Sequence, residues 1–135
     1  MCDGTSRGVV RAVDTNVLVR LVTRDDAKQV VKAEAFVAPG AWVPHLALVE
    51  AMWVLSSVYD RSPEAIATAV EMLLNHERLT LQDSEAVSAA VGTFRKRPAL
   101  GFSDCLVLEV ARKAGHVPLG TFDRDFSKLA DVERL

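Results

Sequence analysis

The chain is short of the features that would tie it to a secreted, membrane or strongly basic class. It has two cysteines in 135 residues, Cys2 near one end and Cys105 inside an apolar helical pattern. Two so placed make no disulfide framework, and a reducing, cytoplasmic setting is expected. No apolar run approaches the roughly 18 residues that a membrane span needs, and the opening Met1 to Gly8 has no apolar signal segment. Charge of one sign is lacking too, since sixteen Lys and Arg against eighteen Asp and Glu leave −2. Overall charge therefore does not advertise a polyanionic partner. It does not exclude one, because cations bound among carboxylates reverse the sign of a site. Repeats, linkers and low-complexity stretches are also missing. What remains is a chain that is 50% hydrophobic and long enough to bury about two-thirds of its unfolded surface as one domain. Residues 1–8 are polar and read as a loose leader, with a single domain over 9–135.

The run Val9-Val10-Arg11-Ala12-Val13 is apolar apart from Arg11, and it ends on Asp14-Thr15-Asn16. It reads as a parallel strand covered on both faces. A helix follows from Val17 to Val22, and a second from about Ala27 to Val37 is stopped by Pro39-Gly40. Trp42-Val43-Pro44 reads as a short strand, and Leu46 to Tyr59 as a strongly apolar helix with Glu50 in its middle. Ser62-Pro63 starts another helix, Leu79-Thr80-Leu81 is a minimal strand, and Asp83-Ser84-Glu85 opens a helix that ends at Arg95-Lys96-Arg97-Pro98. Ser103 is the expected cap of the next helix, and Gly115 its stop. His116 to Leu119 reads as a strand, and Val132 to Leu135 as a last edge strand. Strands alternating with helices predict an α/β fold with a parallel sheet and helices on both faces.

Four carboxylates fall at comparable places: Asp14 after the first strand, Glu50 in the helix after the second, Asp104 at a helix start and Asp123 after a later strand. Ligands of open α/β sheets collect beyond the carboxyl ends of the strands. Acids brought together there repel unless a cation sits among them, and oxygen-only ligands favour Mg²⁺ or Mn²⁺. Such a metal suits phosphodiester hydrolysis through an activated water. Each acid also has a plainer role open to it, Asp14 and Asp123 as helix caps, Asp104 as a first-turn acid and Glu50 as a solvated helix residue.

The segments Val13-Asp14-Thr15-Asn16-Val17-Leu18, Leu48-Val49-Glu50, Phe102-Ser103-Asp104-Cys105-Leu106 and Pro118-Leu119-Gly120-Thr121-Phe122-Asp123-Arg124-Asp125-Phe126 occur in this order. As a set they resemble the PIN-domain ribonucleases, specifically the VapC toxins of type II toxin–antitoxin pairs. The resemblance implies a three-layer α/β/α fold around a central parallel sheet of four to five short strands. It implies Mg²⁺- or Mn²⁺-dependent endonucleolytic cleavage of RNA, inhibition by a cognate antitoxin, and a homodimer. It makes Asp14, Glu50, Asp104 and Asp123 the metal-binding and catalytic acids, with Asn16 and Thr121 supporting them. Asp125 is an extra acid, placed either at the site through water or in a salt bridge with Arg124 or Lys128. His45 departs from the Ser or Thr usual before the Glu-bearing helix, which leaves the capping of that helix open.

Arg20, Arg24 and the triplet Arg95-Lys96-Arg97 are candidate RNA-phosphate contacts, although basic residues at helix ends are ordinary solvated features too. Trp42 and Trp53 have no basic neighbours and are expected in the core. The apolar helices from Ala27 to Tyr59 offer surface for a dimer or an antitoxin, or else fill an internal core. Two other classes stay open, a binding module without turnover and an aspartyl phosphotransfer enzyme using Asp14 as nucleophile.

Overall fold

A computed structural model describes residues 10–135; the expected leader at 1–8, and Val9 with it, lie outside the described residues. The described chain carries five short strands and six α-helices: β1 (Arg11–Ala12), α1 (Thr15–Thr23), α2 (Ala27–Val37), β2 (Ala41–Val43), α3 (His45–Ser57), α4 (Pro63–Leu74), β3 (Leu79–Leu81), α5 (Ser84–Lys96), α6 (Phe102–Ala114), β4 (Leu119–Thr121) and β5 (Val132–Arg134). Every strand pairing is parallel, as the alternation of strands and helices predicts. Among the described residues the ladders form two sheets, β1-β2-β3 and β4-β5, where one sheet of four to five strands was expected.

β2 is the centre of the larger sheet, with Ala41 and Trp42 in register with Arg11 and Ala12 on one side and with Leu79 and Thr80 on the other. Ala41 and Val43 of β2 and Leu79 and Leu81 of β3 are buried, and Trp42 and Thr80 between them are exposed. This is the period of two that strand geometry imposes. It corrects two expectations. The first strand is not covered on both faces, since Val10, Arg11 and Ala12 are exposed and only Val13 is buried. Trp42 is not in the core either, because its in-register row with Ala12 and Thr80 faces outward. Trp53 is 64% exposed on α3, a second correction to the expected core.

The helices start where local chemistry satisfies their free N–H groups. Asp14, Asp26, Ser62 and Asp83 cap α1, α2, α4 and α5, each accepting from a backbone N–H three residues on. Ser103 does not cap α6: Gly101 precedes the helix at φ +84, and Ser103 is already helical. The strand expected from His116 begins instead at Leu119, after a cis Val117–Pro118 bond. Pro44 offers α3 no side-chain cap. Gln82, just past β3, supplies one across the sheet, its Oε1 accepting from the His45 backbone N–H at 2.8 Å while its carbonyl lies 2.7 Å from His45 Nε2. The capping left open by His45 is thus tertiary.

One core joins the helices to the buried face of the larger sheet, with Leu18, Leu48, Leu55 and Leu73 fully buried. The smaller sheet is tied to α6 by Arg112, which donates to Asp131 Oδ2 at 3.0 Å, to the Ala130 carbonyl at 2.7 Å and to Glu109 at 2.9 Å. No helix among the described residues is long and apolar enough to cross a membrane. Burial pushes the Cys105 thiol up to about 11, which keeps it a neutral packing residue.

Candidate active site

Asp14 leaves β1 in extended backbone and places Oδ1 3.1 Å from the Val17 N–H. The plainer reading of Asp14 as a cap is therefore true of one oxygen. An ionised carboxylate accepts at several lone-pair positions, so capping leaves Asp14 capacity for a second partner. The next residue, Thr15, donates from Oγ1 to Glu50 Oε1 at 2.7 Å, joining the start of α1 to the middle of α3. Thr15 is a residue that sequence reasoning passed over. Its place in Asp-Thr-Asn was visible, but its partner 35 residues away was not.

Asp104 stands in the first turn of α6, half-buried, on a helix fixed by buried Phe102, Cys105 and Leu106. Burial raises its carboxyl above the ordinary Asp value, and the negative charge of Asp123 raises it further. Asp123 is exposed; its Oδ1 accepts from the Phe126 N–H at 3.0 Å and its own N–H donates to Thr121 Oγ1 at 3.0 Å. Thr121 thereby orients the turn that carries Asp123. Asp125 lies 3.4 Å from Lys128 Nζ, one turn along the chain, in agreement with the salt-bridge alternative.

The four acids thus fall into two halves, Asp14 with Glu50 through Thr15, and Asp104 facing the charge of Asp123. Among the described residues none of the four forms an ion pair, and no three His, Cys, Asp or Glu side chains gather closely enough to hold a metal ion. The donor chemistry nevertheless fits a hard divalent cation. It is all oxygen, and in the second half the charge of Asp123 adds to burial in raising Asp104.

Two grooves flank the acids. One, of about 450 Å³, runs between α3 and the start of α6, with Glu50 and Ser103 on its wall among apolar Leu46, Trp53, Phe94 and Phe102. The other, of about 460 Å³, runs between α1 and α2, with Asp14 and Asn16 beside Arg20, Gln29, Lys32 and Phe36. The candidate phosphate contacts divide. Arg20 is held by Asp25, Tyr59 and Gln29, Arg24 by Glu34, and Arg95 by Glu64 and Glu71, both at 2.7 Å. Lys96 and Arg97 are exposed and form no ion pair among the described residues.

The architecture is a parallel α/β one, with Asp14 beyond β1, Glu50 in the helix after β2, Asp104 in the first turn of α6 and Asp123 after β4. The PIN domain model matches residues 11–132, and the chain belongs to this family. Among curated proteins, the chain is similar to a VapC ribonuclease from Aquifex aeolicus (strain VF5), 26% identical over 125 residues that cover 89% of this chain and 92% of the relative. No solved structure matches the chain.

Proposed function

We propose that the protein is a VapC-type endoribonuclease toxin, a single catalytic domain over 9–135 that hydrolyses RNA phosphodiester bonds in the cytoplasm. Asp14, Glu50, Asp104 and Asp123 would hold Mg²⁺ or Mn²⁺. The observation that carries this reading is a PIN domain in which Thr15, next to Asp14, donates to Glu50 while Asp104, half-buried at the start of α6, feels the negative charge of Asp123. The likeness to a VapC ribonuclease supports the choice of RNA.

A bound divalent cation would neutralise the carboxylates and supply the Lewis acidity that makes water a nucleophile and stabilises charge on the phosphate oxygens. The chain's own residues do the rest. Thr15 fixes one oxygen of Glu50, Thr121 holds the turn that presents Asp123, and the capping bond to Val17 fixes the rotamer of Asp14. Asn16, on the groove wall beside Asp14, offers an amide that can position water or a phosphate oxygen. Hydrolysis adds the water oxygen to phosphorus and expels one ribose oxygen, which leaves with a proton.

A cognate antitoxin and a second copy of the chain are the proposed protein partners. The exposure of Leu46, Trp53 and Val58 on and just after α3, beside the groove that contains Glu50, supports a protein contact on that side. An antitoxin seated there would lie against the acids it silences.

Purified protein free of antitoxin, incubated with structured RNA, is expected to cut it with Mg²⁺ or Mn²⁺ and to stop on addition of EDTA. Asp14→Asn should abolish cutting while RNA is still bound. Cutting that survives EDTA, or no cutting with either metal, contradicts the proposal. A phosphate trapped on Asp14 would favour the phosphotransfer reading instead.

A further inference from the structure

We infer that the groove between α1 and α2 is the track for the RNA strand on one side of the scissile phosphate, with Lys32 as its phosphate contact; this rests on the ribonuclease reading above. The two grooves beside the acids differ in what they can hold. The α3–α6 groove has an apolar wall and Glu50 as its charged residue. The α1–α2 groove begins at Asp14 and Asn16 and continues along Arg20, Gln29 and Lys32, with Phe36 on its wall.

Its cations are arranged in a definite way. Arg20 Nε donates to Gln29 Oε1 at 2.6 Å, and its other bonds to Asp25 and Tyr59 lock the guanidinium into the wall. That charge is largely answered by Asp25. Lys32, one turn beyond Gln29 on α2, forms no ion pair among the described residues and is exposed at the groove. Behind the wall, Arg11 stacks 3.8 Å from the Phe36 ring centroid and donates to the Phe36 carbonyl at 3.2 Å. A groove with the Lys32 ammonium, amide groups at Asn16 and Gln29, and one end on Asp14 is complementary to a polyanionic strand leaving the acids. Its volume of about 460 Å³ falls in the range of about 300–1,000 Å³ that holds small-ligand units such as a nucleotide. Of the positions that sequence reasoning favoured, Arg20, Arg24 and Arg95 hold carboxylates instead, and Lys96 and Arg97 do not line this groove.

The test uses the full chain carrying Asp104→Asn, so that bound RNA is not cut, and a labelled single-stranded RNA oligonucleotide followed by fluorescence anisotropy across a salt series. Lys32→Ala should flatten the slope of log K against log salt by about 0.7, the loss of one phosphate contact on a single strand, and Lys32→Glu should weaken binding by about tenfold. Arg78→Ala, before β3 and so at the far end of the sheet from the acids, should leave both unchanged. Lys32 is exposed, and unaltered melting of its variants confirms that folding is intact. If the parent protein binds RNA and Lys32→Ala and Lys32→Glu match it in slope and affinity, the track is overturned and the ribonuclease reading stands. Absence of RNA binding by the parent overturns both.

Discussion

Asp14 and Glu50 each accept a hydrogen bond from α1, from Val17 N–H and Thr15 Oγ1, whereas Asp104 is raised by burial and then by the charge of Asp123, which is itself fixed by the Phe126 N–H. The first half is preorganised by polar contacts between α1 and α3. The second is held by packing, since α6 is anchored by Phe102, Cys105 and Leu106 while Asp123 is carried by an exposed turn. If the proposed cation binds, the first half is already in place for it, and the second half is the one whose energy should fall most on its arrival.

The sharpest break in that comparison comes from removing a proposed ligand from either half. Asp14→Asn and Asp104→Asn should each cost more than the roughly 100-fold that losing an outer-sphere partner costs, read as RNA cleavage rate at saturating Mn²⁺. Equal losses in both halves are expected; a variant of one half that cleaves normally would dissolve the shared site. Thr15→Val removes only the hydroxyl that holds Glu50 and should reduce cleavage by about 10- to 100-fold, with Thr15→Ser restoring it. A Ser variant as poor as Val would make the residue a packing element instead of a positioning one.

The next effect separates the halves by stability. Without metal, Asp104→Asn relieves the repulsion and should raise the melting temperature at neutral pH, while Glu50→Gln, which weakens an accepted bond, should not. Mn²⁺ should raise the melting temperature of the parent and lose that effect in Asp104→Asn.

The smallest effect is on pH dependence. Because the folded pKa of Asp104 is raised above 3.8, the folded state keeps a proton that the unfolded state has lost, and stability falls as pH rises from about 3.8 through the raised value. Asp25 has the opposite sign. Tyr59 O–H and Thr23, followed by Arg20, hold it at about 2, so its contribution is complete above 3.8 and is lost as pH falls toward about 2. Melting curves from pH 3 to 7 should therefore flatten for Asp104→Asn at the upper side of this window and for Asp25→Asn at the lower side.

Much of this was legible because local chemistry decides it. Ser62-Pro63, Asp83 and Gly115 mark helix ends by capping, and α2 and β3 lie where their patterns place them. Asp14, Asp104 and Asp123 sit at the element ends that strand and helix punctuation predicts, and Glu50 lies inside the helix expected after the second strand. What was hidden depends on pairings across the fold. The Gln82 cap on α3, the Thr15 bond to Glu50 and the capture of Arg95 by Glu64 and Glu71 join residues 24 to 37 positions apart, and spacing carries no trace of them. Trp53 misled because hydrophobicity alone does not say which side of an apolar helix faces the core, and nearly every position of α3 is apolar.

The central claim is that both halves serve one divalent-metal site, and calorimetric titration of Mn²⁺ into the metal-free protein tests it most directly. Asp14→Asn, Glu50→Gln, Asp104→Asn and Asp123→Asn should each weaken binding of the same Mn²⁺. Binding that is lost in Asp104→Asn and Asp123→Asn but unchanged in Asp14→Asn and Glu50→Gln would contradict a single site.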